Sequence, residues 1–407
     1  MDQQYATYVK VSPLQLGVAF VVVFVVGFLL GNQITVIQAQ TSPSSETSLL
    51  APVRQAYDII QRDYIAEVDD DVLIDGALSG MIAALDDLYS GYLNRDANQR
   101  FSQSLSGDME GIGATIRTVP ETGEIEVVNT LPETPAREAG VQAGDIFYAV
   151  DGEDVQGFDQ MELLPLVRGP AGTPVTITFL RGDDLVDITI VRARFEVPSV
   201  DYELLDGDIA YVYLLDFSAR SRRQLDEAFE TLDVNNRAGL VLDLRGNPGG
   251  LLSSAVEVTS AFVEEGVILY ELFGDGTERI FEADGSYFGL DVPIVLLVDQ
   301  TSASASELLA GALQDNGLAT VVGDVTFGKG TVQVINQLSN GGGLRLTIAE
   351  WLTPNRNSIE AVGIQPDIAV PITEDFDFER DGDIQLQAAI DLLLIADGVQ
   401  AAEASAP

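Results

Sequence analysis

Apolar and polar positions fall into four textures along this chain. The first is the unbroken run LQLGVAFVVVFVVGFLLG, Leu14 to Gly31, with a single polar residue. It reaches the length at which a helix can cross a bilayer. The second texture, from about Leu49 to Phe101, repeats at helical spacing. Val53, Ala56, Tyr57 and Ile60 mark one face, and Leu78, Met81, Ile82 and Leu85 another. This predicts two or three amphipathic helices ending around DDLYSGYL. From Gly107 to about Val197 short alternating runs are punctuated by turns. GIGATIRTV, EIEVVNTL, DIFYAVDGEDV and TPVTITFLRGDDLVDITIVRARF read as strands and hairpins, with MELLPLVRG as a short helix. Beyond Val197, strands such as GLVLDLRG and PIVLLVD alternate with helical stretches such as SRRQLDEAFETLD and SASELLAGALQDNG. That alternation predicts a β/α core.

These textures divide the chain into an N-terminal stretch 1–13, an apolar anchor 14–31, a Ser/Thr/Pro-rich linker 32–48, a helical region 49–106, a strand-rich module 107–197, a β/α core 198–371 and an acidic tail 372–407. The tail carries one further helix at Ile384 to Ala396. The apolar run reads as a retained membrane anchor. A cleaved signal peptide is the competing reading, but in IQAQ (Ile37 to Gln40) the bulky Ile37 stands where cleavage prefers a small residue. Lys10 is the only positive charge beside the run, and it places the bulk of the chain outside the cytoplasm.

Composition narrows the chemistry. A formal charge of -43 leaves no basic patch for phosphates, so nucleic acid is not an expected partner. The chain has neither cysteine nor histidine. Disulfides, thiolate sites, cysteine nucleophiles and the Ser-His-Asp triad are therefore excluded. A covalent hydrolase built from this alphabet needs a Ser or Thr nucleophile. Its base must be a carboxylate, a tyrosine or a lysine of lowered pKa.

Three loops of the β/α core could supply those parts. In VDQTSASASELLAGALQDNG a strand runs through small residues into a helix, where free N–H groups favour developing negative charge. Thr301, Ser302, Ser304 and Ser306 compete there, and capping is the plainer explanation, since SASE (Ser304 to Glu307) is a capping box. In VVGDVTFGKGTVQVINQL, Lys329 is flanked by Gly328 and Gly330 among apolar strands; Lys10 and Lys329 are the only lysines beside 19 arginines. Burial lowers a lysine's pKa and lets the neutral amine accept a proton, which arginine cannot do. Strand alternation places Lys329, Thr331 and Gln333 on one face, so Gln333 can hold the amine. A Walker loop is rejected because Gly330 stands where Ser or Thr should follow the lysine, and a strand follows instead of a helix. In LDLRGNPGGLLSSAVEV the N–H groups of Gly249 and Gly250 can converge on an oxyanion, with a plain strand-to-helix turn as the alternative. In the strand-rich module, GIG at Gly111, Ile112 and Gly113 can offer N–H groups to a peptide's terminal carboxylate, the peptide adding as an edge strand.

Taken together these segments resemble the carboxyl-terminal processing (tail-specific) serine proteases. GALSGMIAALDDLYSGYL is similar to that family's helical stretch, and GIGATI, AREAGVQAGDIFYAVDGEDVQGF and LVRGPAGTPVTITFLR to its PDZ domain. LDLRGNPGG, SASASE, TFGKGTVQ and LRLTIAEWLTP with GIQPDI resemble its catalytic core. The resemblance implies a multidomain α+β / α/β fold: an anchor helix, a helical region, a PDZ β-sandwich-like module and a β/α protease core of the crotonase-like type. It implies Ser304 as nucleophile, Lys329 as general base and Gln333 as its support. The oxyanion hole falls to Gly249 or Gly250 with Ala305, and peptide binding to Gly111, Ile112, Gly113 and Ala114. The implied activity is cleavage of the C-terminal tails of extracytoplasmic proteins, without metal or organic cofactor, by a membrane-anchored and self-associating enzyme that a partner protein can activate. A non-catalytic PDZ adaptor binding peptide C-termini is the other class this architecture allows. Leu88 in place of a frequent proline and Arg356 in place of a turn glycine depart from the pattern, away from the dyad.

Overall fold

The computed structural model describes residues 49–372, 380 and 382–404. The apolar run Leu14 to Gly31 and the linker after it lie outside the described residues. Among the described residues, no helix is long and apolar enough to cross a membrane.

The chain divides into two compact units, Met1–Leu78 and Ser79–Pro407. In the first, α1 (Ala51–Asp63) is followed by the start of α2 (Asp70–Ala83). Pro52 sits in the first turn of α1, where its missing N–H costs nothing. The Asp70 carboxylate accepts from Tyr57 and Gln61 and so ties the two helices together. Neither helix buries a side chain.

In the second unit, β1 (Gly91–Leu93) falls in DDLYSGYL, around which the sequence pattern ends its helices, and a further helix, α3 (Arg95–Ser106), follows. Asn94 caps α3 by accepting from the Ala97 N–H. β2 (Asp108–Gly111) then leads into β3 (Ala114–Thr118), β4 (Ile125–Thr130), β5 (Ile146–Val150), β6 (Glu153–Asp154), α4 (Gln160–Val167), β7 (Pro174–Arg181), β8 (Asp184–Val191) and β9 (Ala193–Glu196). The sheet order is β3-β4-β5-β7-β8, with β6 on β5, so β3 is an edge strand. Val127, Leu163, Ile177 and Phe179 fill the module's core. β2 pairs with β9 as a separate two-stranded ribbon, and this neck carries the module's entering and leaving chain.

The remainder begins with β10 (Val200–Leu205), β11 (Ile209–Leu214), α5 (Ser221–Leu232), β12 (Gly239–Asp243), α6 (Leu252–Ser260), β13 (Val267–Phe273) and β14 (Glu278–Glu282). It continues with β15 (Ile294–Val298), α7 (Ala305–Asp315), β16 (Thr320–Gly323), β17 (Thr331–Gln337), β18 (Gly343–Leu352), β19 (Ile368–Ala369) and α8 (Ile384–Ala404). The principal sheet runs β10-β11-β12-β15-β16-β19, parallel except for β10. Every residue of β12 and β15 is buried, as central parallel strands covered on both faces require. One face packs residues of α5, α6 and α7, including Phe229, Val258 and Leu309. The other packs Ala389 and Leu393 of α8 against Val241 and Leu297. A second sheet joins β1, β18, β13 and β14, with β17 also on β18. The β13–β14 hairpin and β10 were not legible as strands in the apolar pattern.

Candidate active site

The parallel strands deliver their trailing loops to one edge of the principal sheet. There a cavity of about 630 Å³ is lined by Gly249, Gly250, Ser304, Ala305, Lys329 and Gln333 together. Three loops that lie up to 84 positions apart in sequence thus meet, as the strand–loop–helix pattern anticipated.

Ser304 precedes α7 with φ 57° and ψ −112°, a positive φ that a serine adopts only under strain. It is set there from both sides. Its N–H donates to the Glu307 carboxylate at 2.8 Å, and its carbonyl accepts from Leu308 at 2.9 Å. The competing hydroxyls are committed elsewhere. Ser302 Oγ donates to the Leu244 carbonyl and Ser306 Oγ to that of Asn247, both fully buried, while Thr301 Oγ1 binds Asp299. Ser304 alone of the four faces the cavity.

Lys329 is half-buried in the turn between β16 and β17. Its flanking glycines allow close passage of a second backbone: a Cβ on Gly330 would lie 2.8 Å from the Glu360 nitrogen. Burial lowers the Lys329 pKa below its ordinary value and the Arg345 charge lowers it further, against opposing pulls from Glu307 and Glu360. The amine lies 5.2 Å over the Tyr89 ring and makes no ion pair among the described residues. No hydrogen bond joins it to Ser304 Oγ here. Gln333 lines the same cavity, but its amide donates to the hydroxyls of Thr331 (2.9 Å) and Thr347 (3.4 Å) instead of the amine.

The glycine turn after β12 packs onto Ser304. A Cβ on Gly249, at φ +96°, would fall 2.7 Å from the Ala303 carbonyl and 2.9 Å from the Ala305 nitrogen. The Gly249 N–H is already engaged by the Asn247 carboxamide at 2.9 Å. The N–H groups of Gly250 and Ala305 carry no hydrogen bond among the described residues, which leaves them as open donors beside Ser304.

Two groups escaped the sequence reading. Glu307, noted there only as a cap, is fully buried and accepts four hydrogen bonds, from Ser304 N–H, Thr326 Oγ1, Gly328 N–H and Lys329 N–H. One carboxylate therefore ties the serine's helix to the lysine's turn. Tyr89 reaches the site from the far N-terminal side of the unit, with no local motif to announce it.

In the strand-rich module, Ile112 is buried and its carbonyl accepts from Ala136 N–H, while the Gly113 carbonyl accepts from Leu131 N–H and Thr134 Oγ1. The N–H groups of Ile112 and Gly113 carry no hydrogen bond among the described residues. Gly111 ends β2 and Ala114 opens the edge strand β3. No group of three or more acidic side chains is arranged to hold a metal ion among the described residues.

Residues 208–370 match peptidase family S41, residues 126–181 the PDZ domain, and residues 26–97 the activating protease CtpB N-terminal domain. The carboxy-terminal-processing protease of Bartonella bacilliformis is 37% identical over 369 residues, 88% of this chain and 84% of its own. The carboxy-terminal processing protease CtpA of Bacillus subtilis is 34% identical over 349 residues, 85% of this chain and 74% of its own. A solved S41 protein of Bacteroides fragilis superposes with a TM-score of 0.54 at 18% identity, over 84% of this chain and 96% of that one, a likeness of fold. With a PDZ domain set before an S41 core and this extent of identity, the chain belongs to the carboxy-terminal processing proteases, serine peptidases of family S41.

Proposed function

We propose that this protein cuts polypeptides near their C-termini by a Ser/Lys acyl-enzyme mechanism, with Ser304 as nucleophile and Lys329 as base. The observation that carries this reading is that the strained Ser304 and the half-buried Lys329 line one cavity, beside the open N–H groups of Gly250 and Ala305. Lys329 in its neutral form takes the Ser304 proton as the oxygen attacks the scissile carbonyl. The oxyanion is held by the Gly250 and Ala305 N–H groups, and the ammonium returns its proton to the leaving amine. Water then attacks the ester, again with Lys329 as base, and releases Ser304. The Ser304–Lys329 hydrogen bond must tighten for the first step, as is common between free and substrate-bound sites. Gln333 holds the amine once it turns from the threonines.

The PDZ module takes the substrate's free C-terminus, its carboxylate at the Gly111–Ala114 loop and its backbone along edge strand β3. The core's strand–helix alternation fits the crotonase-like type. The apolar run Leu14 to Gly31 anchors the protein in a membrane, with the catalytic unit on the extracytoplasmic side. Self-association and an activating partner complete the reading.

The test is turnover of an unstructured protein by the purified full-length chain. Wild type is expected to cleave it, and Ser304→Ala and Lys329→Arg to lose at least about a thousandfold in kcat. Lys329→Arg is the more telling variant, because it keeps the charge yet cannot act as a base. Equal rates for all three would overturn the mechanism.

A further inference from the structure

Lys329 is not the only cation on the catalytic cavity. Arg345 of β18 lines it too, half-buried and on the inward face, opposite Ile335 of β17 and Gly91 of β1. Its Nε donates to the Tyr89 carbonyl at 2.9 Å, which fixes the plane of the guanidinium. Its Nη1 and Nη2 make no hydrogen bond and no ion pair among the described residues. Other shielded guanidiniums of this acidic chain have partners for their Nη groups: Arg220 pairs with Asp108 and Glu196, Arg245 with Asp243 and Asp383, and Arg192 donates to the Leu166 and Pro174 carbonyls. Glu307 accepts four hydrogen bonds, Glu360 accepts from the Gly330 N–H, and Asp216 on the cavity accepts from the Ser218 N–H; none of them pairs with Arg345. The cavity wall mixes apolar Phe101, Leu105, Ile335 and Trp351 with polar Asp216, Thr331 and Gln333, none of which accepts from the Arg345 Nη groups. A pre-oriented, unpaired guanidinium held beside another cation is costly unless an anion comes to it. Its planar, two-pronged geometry matches a carboxylate.

We infer that Arg345 is a specificity-determining residue, whose free Nη groups bind a carboxylate of the peptide being cut. The carboxylate belongs either to an acidic side chain close to the scissile bond or to the terminal residue of a short tail. Both present the same planar anion. The inference rests on the proteolytic reading above and adds a preference within its substrates.

The test compares full-length wild type, Arg345→Gln and Arg345→Lys on two peptide series. In one, Glu is exchanged for Gln at each position flanking the cleaved bond. In the other, the terminal carboxylate is exchanged for an amide at fixed distance from that bond. Wild type is expected to favour one acidic position, or the free terminus, by about tenfold or more in kcat/KM, chiefly through KM. In Arg345→Gln that ratio should collapse to near one while neutral peptides are still cut, and Arg345→Lys should keep part of it. The PDZ module's own response to an amidated terminus is common to all three proteins, so only the part lost with Arg345 belongs to the cavity. Wild type cutting every peptide without an acidic preference, or Arg345→Gln retaining the preference, would overturn this inference and leave proteolysis standing. Folded wild type cutting no peptide would overturn both. If Arg345→Gln does not fold, Arg345→Lys and the wild-type ratios still decide the question.

Discussion

Glu307 shows how far one side chain can reach. It is fully buried, and its two oxygens serve four donors, on both the serine and the lysine side of the site. Glu307→Gln keeps the shape but points an amide NH2 at N–H groups. The cost expected from losing buried charge-assisted hydrogen bonds is about 2 kcal/mol or more, read as a lower midpoint in denaturant. The looser serine and lysine should lower kcat by at least about tenfold. Removing that negative charge also takes away a pull that raises the Lys329 pKa. The acid limb of the kcat/KM profile should therefore move to lower pH, which loosened packing alone would not do. Lys329 stood out in the sequence as one of two lysines in a chain without histidine or cysteine, whereas Ser304 was one of four competing hydroxyls until the family resemblance singled it out. Arg345 and Tyr89 could not be singled out, since nothing local to LRLTIAEWL or DDLYSGYL says that these segments meet at a cavity. The only hint was a charged residue on an alternating strand. The Gly249 turn was half legible: GNPGG announced a close approach, but Asn247 decides which of its N–H groups stays free.

At the scale of elements, the β2–β9 neck is clamped to the start of α5. Asp108 pairs with Arg194 at 2.5 Å and Arg220 at 2.7 Å, and Glu196 pairs with Arg220 and Arg223. Burial pushes the Asp108 carboxyl upward, but the hydrogen bonds and charges of Arg194 and Arg220 outweigh it and hold the pKa below the usual carboxylate value. A depressed carboxylate adds stability above its unfolded pKa of about 4, and that stability fades as pH falls through the folded value. Asp108→Asn should thus lower the melting temperature by a few degrees at pH 7. Thermal melts repeated at falling pH should show the gap to wild type closing below about pH 4. A gap that stays constant with pH would mean the clamp acts through shape and not charge. Strands with clean alternation, such as β7 and β8, were legible from the pattern. β1 was not, being three residues long inside a stretch of helical spacing, and its strand character comes from pairing with β18. The β13–β14 hairpin went unread although GDGT, Gly274 to Thr277, is a turn signal between its two strands.

For the whole molecule the governing quantity is the charge of -43. Such a surface repels acidic chains at long range, and ions of about 0.15 M screen that field to roughly 8 Å. For an unfolded substrate of net negative charge, kcat/KM should rise several-fold between about 10 mM and 150 mM salt. A net positive substrate should show the opposite trend. Steady-state rates at several ionic strengths measure this directly, and identical salt responses would show that encounter is not charge-controlled. The division into a strand-rich module and a β/α core was readable from texture alone. The second sheet was not, because its strands come from three separate stretches of the chain.

That sheet has a consequence in time as well as space. The contact that fixes Arg345 through the Tyr89 carbonyl spans 256 positions, and the neighbouring Thr347–Ser90 bond spans 257. The Tyr89 ring lies against the Lys329 amine, and Phe101 and Leu105 line the cavity that Lys329 also lines. During synthesis the ribosome delivers these residues early, and they wait unpaired until β18 emerges near the end. Contacts of such separation form late in folding. The cavity that Ser304 and Lys329 line is therefore completed only once β18 has paired with β1. Pairing the first strand of the unit with nearly its last makes the shape of the cavity depend on both ends of that unit at once.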